Sequence, residues 1–120
     1  DLLLKLRLGT HPWFKRDGLD LSISIPISIV EATLGGKVEV PLLKGSATLT
    51  IPPGISSGGR LRLKGKGITD SKGASGDLHV VIDIVAPKDI SDADRSILEQ
   101  LAEDLPDPRI DVPWASEITD

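Results

Sequence analysis

Apolar and polar residues alternate in six short stretches of the chain. The stretches cover residues 2–8, 19–25, 38–42, 47–51, 61–63 and 78–84. Successive side chains of a β-strand point to opposite faces, so each alternation predicts a strand with one buried face. Glycine-containing turns separate the stretches, as at Asp17-Gly18, Lys44-Gly45 and Pro53-Gly54. The pattern predicts a mainly β fold with a mostly antiparallel sheet system.

One short helix is predicted between the second and third stretches. Ser28 is followed three residues later by Glu31, which is the spacing of a capping box. Gly35 then supplies a C-terminal stop. These signals predict a helix of about two turns over residues 29–34.

A second helix is predicted near the carboxyl end of the chain. Ser91 and Asp94 mark its start, and Pro106 ends it. Its apolar residues recur at a spacing that places them on one side of a helix. They are Ile97, Leu98, Leu101 and Leu105. The sequence therefore predicts an amphipathic C-terminal helix.

Composition bounds the fold and the location. The 120 residues are 39% hydrophobic, which suits one domain with a modest core. With one Phe, two Trp and no Tyr, that core must be built from Leu, Ile and Val. The absence of cysteine excludes a disulfide scaffold and a cysteine-ligated metal site. No apolar run approaches the roughly 20 residues that span a bilayer, so we expect no membrane partner. The cytoplasmic location that we also expect follows from the family resemblance given below.

Charge is distributed unevenly along the chain. Residues 1–82 hold 11 Lys and Arg against 7 Asp and Glu, a balance of +4, whereas residues 83–120 hold 3 against 11, a balance of −8. One interpretation is a solvated helix followed by an acidic tail. The other is that the basic body and the acidic end attract each other, within one chain or across a dimer.

The stretch GRLRLKGKGITDSKGASGDLHVVI, residues 59–82, is rich in glycine and lysine. It lacks the Gly-x-x-x-x-Gly-Lys-Ser/Thr pattern of a phosphate-binding loop. A nucleic-acid patch is disfavoured because no aromatic residue lies nearby to stack a base. The alternation places Leu61 and Leu63 inward and the cations outward, where charge discourages edge-to-edge aggregation.

Catalytic constellations are missing from the sequence. The two histidines, His11 and His79, lack further ligands at metal-binding spacing. No Gly-x-Ser-x-Gly motif is present. We therefore expect no enzyme activity, no metal and no cofactor.

Four motifs in order along the chain together resemble a known family. They are HPWFKRDGLDL (11–21), PISIVEATLGGKVEVPLL (26–43), IPPGISSGGRLRLKGKGI (51–68) and GDLHVVIDIVAP (76–87). They closely resemble the second C-terminal β-domain of DnaJ-type co-chaperones, the J-domain proteins of the heat shock protein 40 family. The resemblance covers about residues 1–105. It implies a small two-sheet β-sandwich over residues 11–88, in which GRLRLKGKG is a strand and turn, and Gly54, Gly65 and Gly67 serve backbone geometry.

The opening segment DLLLKLRL is similar in sequence to the later strand that begins DLHVVI. In the family it resembles the last strand of the preceding C-terminal domain. Residues 1–10 are thus expected to be a closing strand or linker from a preceding, similar β-domain. The absence of methionine and the start at Asp1 agree with a piece of a longer protein.

The resemblance implies a function in protein folding. Family members bind unfolded client polypeptides and deliver them to a DnaK-type heat-shock ATPase, partly by adding a client strand to a sheet edge. The groove strands of the family match four residues of this chain. These client-binding candidates are Ile23, Ile25, Val40 and Leu42. The alternative is that all four are simply core residues.

The carboxyl region has implied roles of its own. Family members dimerise through the segment after the last strand, so residues 89–105 are the predicted dimerisation helix, with the apolar stripe against a partner subunit. The alternative is that the stripe covers this chain's own sheet. Residues 106–120 are predicted to be an acidic flexible tail, which Trp114 anchors to a neighbour. Lys64 and Lys66 are candidate contacts for an acidic partner.

A different class of function remains open beside this one. A β-sandwich of this kind could bind a charged polymer, a nucleic acid or an acidic tail, through the basic strand 60–66. The cations concerned are Arg60, Arg62, Lys64 and Lys66. The family resemblance favours the co-chaperone, which predicts no nucleic-acid partner.

Overall fold

The computed structural model describes residues 13–118. The predicted strand at 2–8 and the closing strand assigned to residues 1–10 lie outside the described residues. The chain divides into two compact units after Ala86.

Strands dominate the first unit. Its elements are β1 (Lys15–Asp17), β2 (Asp20–Ser28), α1 (Ile29–Leu34), β3 (Gly36–Pro41), β4 (Ser46–Ile51), β5 (Arg60–Leu63) and β6 (Leu78–Val85). The five predicted strands that fall within the described residues are all present. β1 was not predicted, because all three of its residues are charged and exposed and it shows no alternation.

The strands form two sheets. The larger sheet has the order β1-β2-β6-β5, and β3 pairs with β4 in a second sheet of two strands. These findings confirm a mainly β fold with two sheets and a short helix between strands. Three of the four strand pairings are antiparallel, but the central pair, β2 with β6, is parallel. The alternation did not predict this pair, because a period of two carries no information on strand direction.

The core lies on the inward faces of both sheets. From the larger sheet come Leu21, Ile23 and Ile27 of β2 and Leu78, Val80 and Ile82 of β6; from the smaller come Val40, Leu49 and Ile51. Each fully buried Leu, Ile or Val side chain contributes about 1.5–3 kcal/mol relative to leaving it exposed. The prediction of an aliphatic core is confirmed, with Phe14 and Ala32 as the additions.

Helix α1 forms where the capping signals placed it. The Ser28 hydroxyl accepts a hydrogen bond from the Glu31 N–H at 3.0 Å, and the Glu31 carboxylate accepts one from the Ser28 N–H at 3.0 Å. Gly35 ends the helix with a φ of 80°, and its N–H donates to the carbonyl of Glu31. These contacts are local, which is why the sequence alone predicts them.

The long loop between β5 and β6 is held against the start of β2. The Ile68 N–H donates to the Leu19 carbonyl at 2.7 Å, and the Gly67 N–H donates to the Gly76 carbonyl at 3.0 Å. A Cβ on Gly67 would lie 2.5 Å from the Leu19 carbonyl oxygen, and a Cβ on Gly76 would overlap the same carbonyl group. The two glycines therefore permit a close approach of three backbone segments.

The second unit contains α2 (Asp92–Asp104) and a short 3₁₀ helix, Pro113–Glu117. The Ser91 hydroxyl caps α2 by accepting from the Asp94 N–H at 3.1 Å. The helix ends before Leu105 and Pro106. Within residues 13–118, no helix is long and apolar enough to cross a membrane.

Gly76→Ala should destabilise the first unit, because the added methyl group has no room beside the Leu19 carbonyl. Overpacking of this kind costs about 1–3 kcal/mol in the free energy of unfolding. The control is Gly36→Ala, since a Cβ on Gly36 meets nothing within 4 Å. The control should change stability by no more than about 0.5 kcal/mol. Urea denaturation of the three proteins measures this, and equal stabilities would refute the close approach.

Candidate binding surfaces

The four predicted client-binding residues are not equally accessible. Val40 is 0% exposed and Ile23 is 7% exposed, so both side chains belong to the core, as the alternative interpretation held. Ile25 and Leu42 are half-buried and pack against the core with part of their surface outside. Ile25 lies on β2 and Leu42 directly follows β3. Client binding by this set stays a prediction, and only Ile25 and Leu42 offer surface for it.

The basic strand has the two faces that its alternation predicted. Arg60 and Arg62 of β5 are exposed, whereas Leu61 and Leu63 are half-buried and pack against the core. β5 is the last strand of the larger sheet within the described residues. Charged side chains on such an edge oppose pairing with other edges.

A carboxylate fixes the turn that follows β5. Gly65 has a φ of 75°, and its N–H donates to Asp77 Oδ1 at 2.9 Å. The Lys66 N–H donates to the Leu63 carbonyl at 3.3 Å. The amides of this turn thus bond to the protein's own oxygens instead of surrounding a phosphate, and the GKG sequence is structural. The exposed Lys64 and Lys66 project from a turn of fixed shape.

A polar cluster joins the starts of β2 and β6. Asp20 Oδ1 accepts from the Asp77 N–H at 2.7 Å, and Asp20 Oδ2 lies 3.5 Å from His79 Nε2. Asp77 Oδ2 in turn lies 3.5 Å from Arg62 Nε. Through these contacts two carboxylates connect β2, β6, β5 and the Gly65 turn.

The hydrogen bond from the Asp77 amide lowers the pKa of Asp20 below its ordinary value of 3.8. Desolvation opposes this as the second-largest influence on the pKa of Asp20, and the smaller effects of His79 and Arg62 lower that pKa further. Sequence reasoning missed this cluster because its two carboxylates, Asp20 and Asp77, are 57 residues apart. One signal was available: an Asp-Leu pair opens both strands, at Asp20-Leu21 and Asp77-Leu78, and Leu21 pairs with Leu78.

The apolar stripe of the second unit is exposed. Ile97 is 60% exposed, Leu101 47% and Leu105 57%, and Leu98 is the least exposed at 37%. Trp114 in the 3₁₀ helix is 52% exposed. The dimerisation role of the stripe and the anchoring role of Trp114 stay predictions.

The described residues bring no metal-binding set together. Nowhere in residues 13–118 do three His, Asp or Glu side chains converge in a way that could hold an ion. The strongest electrostatic feature of this part of the chain is the cluster formed by Asp20, Asp77, His79 and Arg62.

Two β-sheets around an aliphatic core, with a basic strand at one edge of the larger sheet, define a small β-sandwich domain. The chain belongs to the DnaJ C terminal domain family, which matches residues 1–87. The resemblance carried by the four motifs is thereby confirmed.

Relatives with two different names match nearly the whole chain. The chain is 41% identical over 115 residues to a protein of Acholeplasma laidlawii named Chaperone protein DnaJ, covering 95% of this chain and 31% of that protein. It is 48% identical over 103 residues to a protein of Escherichia coli O9:H4 named Curved DNA-binding protein, and the match covers 86% of this chain and 33% of that protein. A Coxiella burnetii protein that is also named Curved DNA-binding protein is 42% identical over 110 residues, and the match covers 91% of this chain and 34% of that protein. The chain spans about a third of the length of these relatives.

Asp20→Asn should make the protein less stable at neutral pH, with an effect that fades in acid. The folded-state pKa of Asp20 is lowered, so its contribution to stability is present above the unfolded-state pKa and is lost as the pH falls through the folded-state value. Denaturation of wild type and variant at several pH values between neutral and acidic measures the difference. The control is Asp83→Asn, since Asp83 is exposed on β6. A difference between wild type and Asp20→Asn that stays constant with pH would contradict the account.

Proposed function

We propose that this chain is a client-binding and dimerisation domain of a DnaJ-type co-chaperone. The observation that carries the proposal is its membership of the DnaJ C terminal domain family over residues 1–87. A relative named Chaperone protein DnaJ that matches 95% of the chain supports the same role. The domain binds unfolded polypeptide without a chemical step of its own, and the full-length cytoplasmic protein passes the client to a DnaK-type ATPase.

Client binding uses the sheet edges and the half-buried apolar side chains beside them. The smaller sheet has only β3 and β4, so each has one side without a strand partner among the described residues. A client segment added there would form backbone hydrogen bonds, which suit many sequences. Leu42, at the end of β3, supplies apolar surface with a loose side-chain preference. Ile25 offers a second such contact on the larger sheet.

Dimerisation uses the apolar stripe of the second unit, which consists of Ile97, Leu98 and Leu101 of α2 and of Leu105 directly after it. Four large aliphatic side chains that stay 37% to 60% exposed would be costly to leave in water in an isolated chain. Packing the stripe against the same stripe of a second copy removes it from water. Two weak client sites joined in one dimer gain avidity for a long unfolded chain.

A second candidate function is binding to DNA. Relatives of this chain carry the name Curved DNA-binding protein. The exposed cations of the basic strand, Arg60, Arg62, Lys64 and Lys66, offer a contact for phosphates. Against it stand the overall charge of −4 and the engagement of Arg62 by Asp77.

Leu101→Asp should split the dimer and leave the fold intact. The substitution puts a charge in the middle of the stripe, and it lies in α2, outside the β-sheet core. Sedimentation equilibrium over a range of concentrations gives the mass of each protein, and circular dichroism checks the fold. Gln100→Asp is the matched control, because the neighbouring residue lies outside the stripe. A wild-type protein that is monomeric at every concentration would refute dimerisation by this chain.

Salt separates the two candidate functions. We expect the protein to suppress client aggregation equally well as the salt concentration rises, because salt screens apolar contacts only weakly. For the same reason, suppression should survive the triple substitution Arg60→Glu, Lys64→Glu, Lys66→Glu. Duplex DNA binding that falls steeply with salt would instead favour the second function. Lys15→Glu, Lys72→Glu, Lys88→Glu is the control for net charge. DNA binding lost in the first triple variant and kept in the second would establish the basic strand as the site.

A further inference from the structure

The cations at β5 and its turn are largely unneutralised. Of the four, only Arg62 takes part in an ion pair within residues 13–118, with Asp77 at 3.5 Å. Arg60, Lys64 and Lys66 are exposed. The turn that carries the lysines is fixed by the hydrogen bond from Gly65 to Asp77. A set of surplus positive charges therefore stands on a rigid edge of the larger sheet.

The opposite charge and an exposed apolar anchor lie together at the carboxyl end. Residues 103–120 contain six acidic residues and one basic residue, Arg109. Successive turns order residues 107–115 of this segment: the Ile110 N–H donates to the Asp107 carbonyl at 3.2 Å and the Ala115 N–H to the Val112 carbonyl at 3.0 Å. Trp114 is 52% exposed. The segment thus presents an indole ring flanked by carboxylates.

The direction of the strands separates the lysine turn from the point where the chain leaves the larger sheet. Leu63, at the end of β5, pairs with Leu78, at the start of β6. The chain leaves β6 at Val85, seven residues after Leu78, which is about 23 Å along the strand. Lys64 and Lys66 and the exit of the chain thus lie at opposite ends of β6, whereas Arg60 lies opposite Val81, in the middle of that strand. A segment from a second copy reaches the lysines without having to turn back along β6.

We infer that the acidic segment 103–120 of one copy binds the basic edge, Arg60 with Lys64 and Lys66, of a second copy. The two surfaces are complementary in charge, and Trp114 can stack on a guanidinium such as that of Arg60. The inference rests on the proposed dimer and extends it with a second, reciprocal contact. It also gives the basic edge an occupant that competes with any polyanion for the same cations.

Intermolecular paramagnetic relaxation enhancement tests the contact between the acidic segment and the basic edge directly. The chain has no cysteine, so Ser116→Cys gives a single attachment site for a nitroxide label. Spin-labelled, isotopically unlabelled protein is mixed with ¹⁵N-labelled protein that carries no spin label. The expected result is a loss of amide signal intensity at residues 60–67 of the ¹⁵N copy, which only a contact between copies can produce. The loss should shrink as salt screens the charges.

Two variants complete the test. Asp104→Asn, Asp111→Asn, Glu117→Gln in the spin-labelled copy should abolish the loss at residues 60–67 and keep any loss along α2. Leu101→Asp in both copies tests whether the contact between the acidic segment and the basic edge requires dimerisation through α2. Intact signals at residues 60–67 in a sample shown to be dimeric would overturn the inference and leave the proposed dimer standing. A sample that shows no relaxation anywhere, because the protein is monomeric, would overturn both.

Discussion

The parallel pairing of β2 with β6 is the interaction on which the rest of the structure depends. It joins eight residue pairs, from Leu21 with Leu78 to Ser28 with Val85, and buries six of the eleven core side chains. β1 and β5 attach to its two outer sides, and α1 continues from its far end. The Asp20 carboxylate, which accepts the Asp77 amide, fixes the register at its start. A slip by one residue would turn the apolar face of β2 toward water.

Whether a feature could be predicted from the sequence depends on how far apart along the chain its interacting residues lie. Helix α1 depends on Ser28, Glu31 and Gly35, which lie within eight residues, and it forms where predicted. The parallel direction of β2 and β6 depends on strands more than 50 residues apart, and alternation does not encode it. The Asp20–Asp77 contact escaped notice for the same reason. β1 escaped because a charged strand at a sheet edge has no apolar face to mark it.

The features of the candidate binding surfaces were likewise predictable only in part. The outward cations of β5 follow from the period of two, and so does the burial of Val40 and Ile23, which removes both from any open groove. What a surface binds depends on edges and exposed side chains, which are set by the assembled sheets. The larger sheet ends in a cationic edge, whereas in the smaller sheet β3 carries one lysine and one glutamate and β4 carries no charge. On the proposed function, the cationic edge suits acidic partners and the less charged edges of the smaller sheet suit unfolded polypeptide.

The central claim is that unfolded polypeptide binds at the edge of the smaller sheet. Titrating ¹⁵N-labelled protein with an apolar, uncharged client peptide at low and at high salt tests it most directly. The account predicts amide shift changes in residues 36–51 and around Ile25 that are the same at both salt concentrations. Shift changes confined to residues 60–66 that vanish at high salt would contradict it.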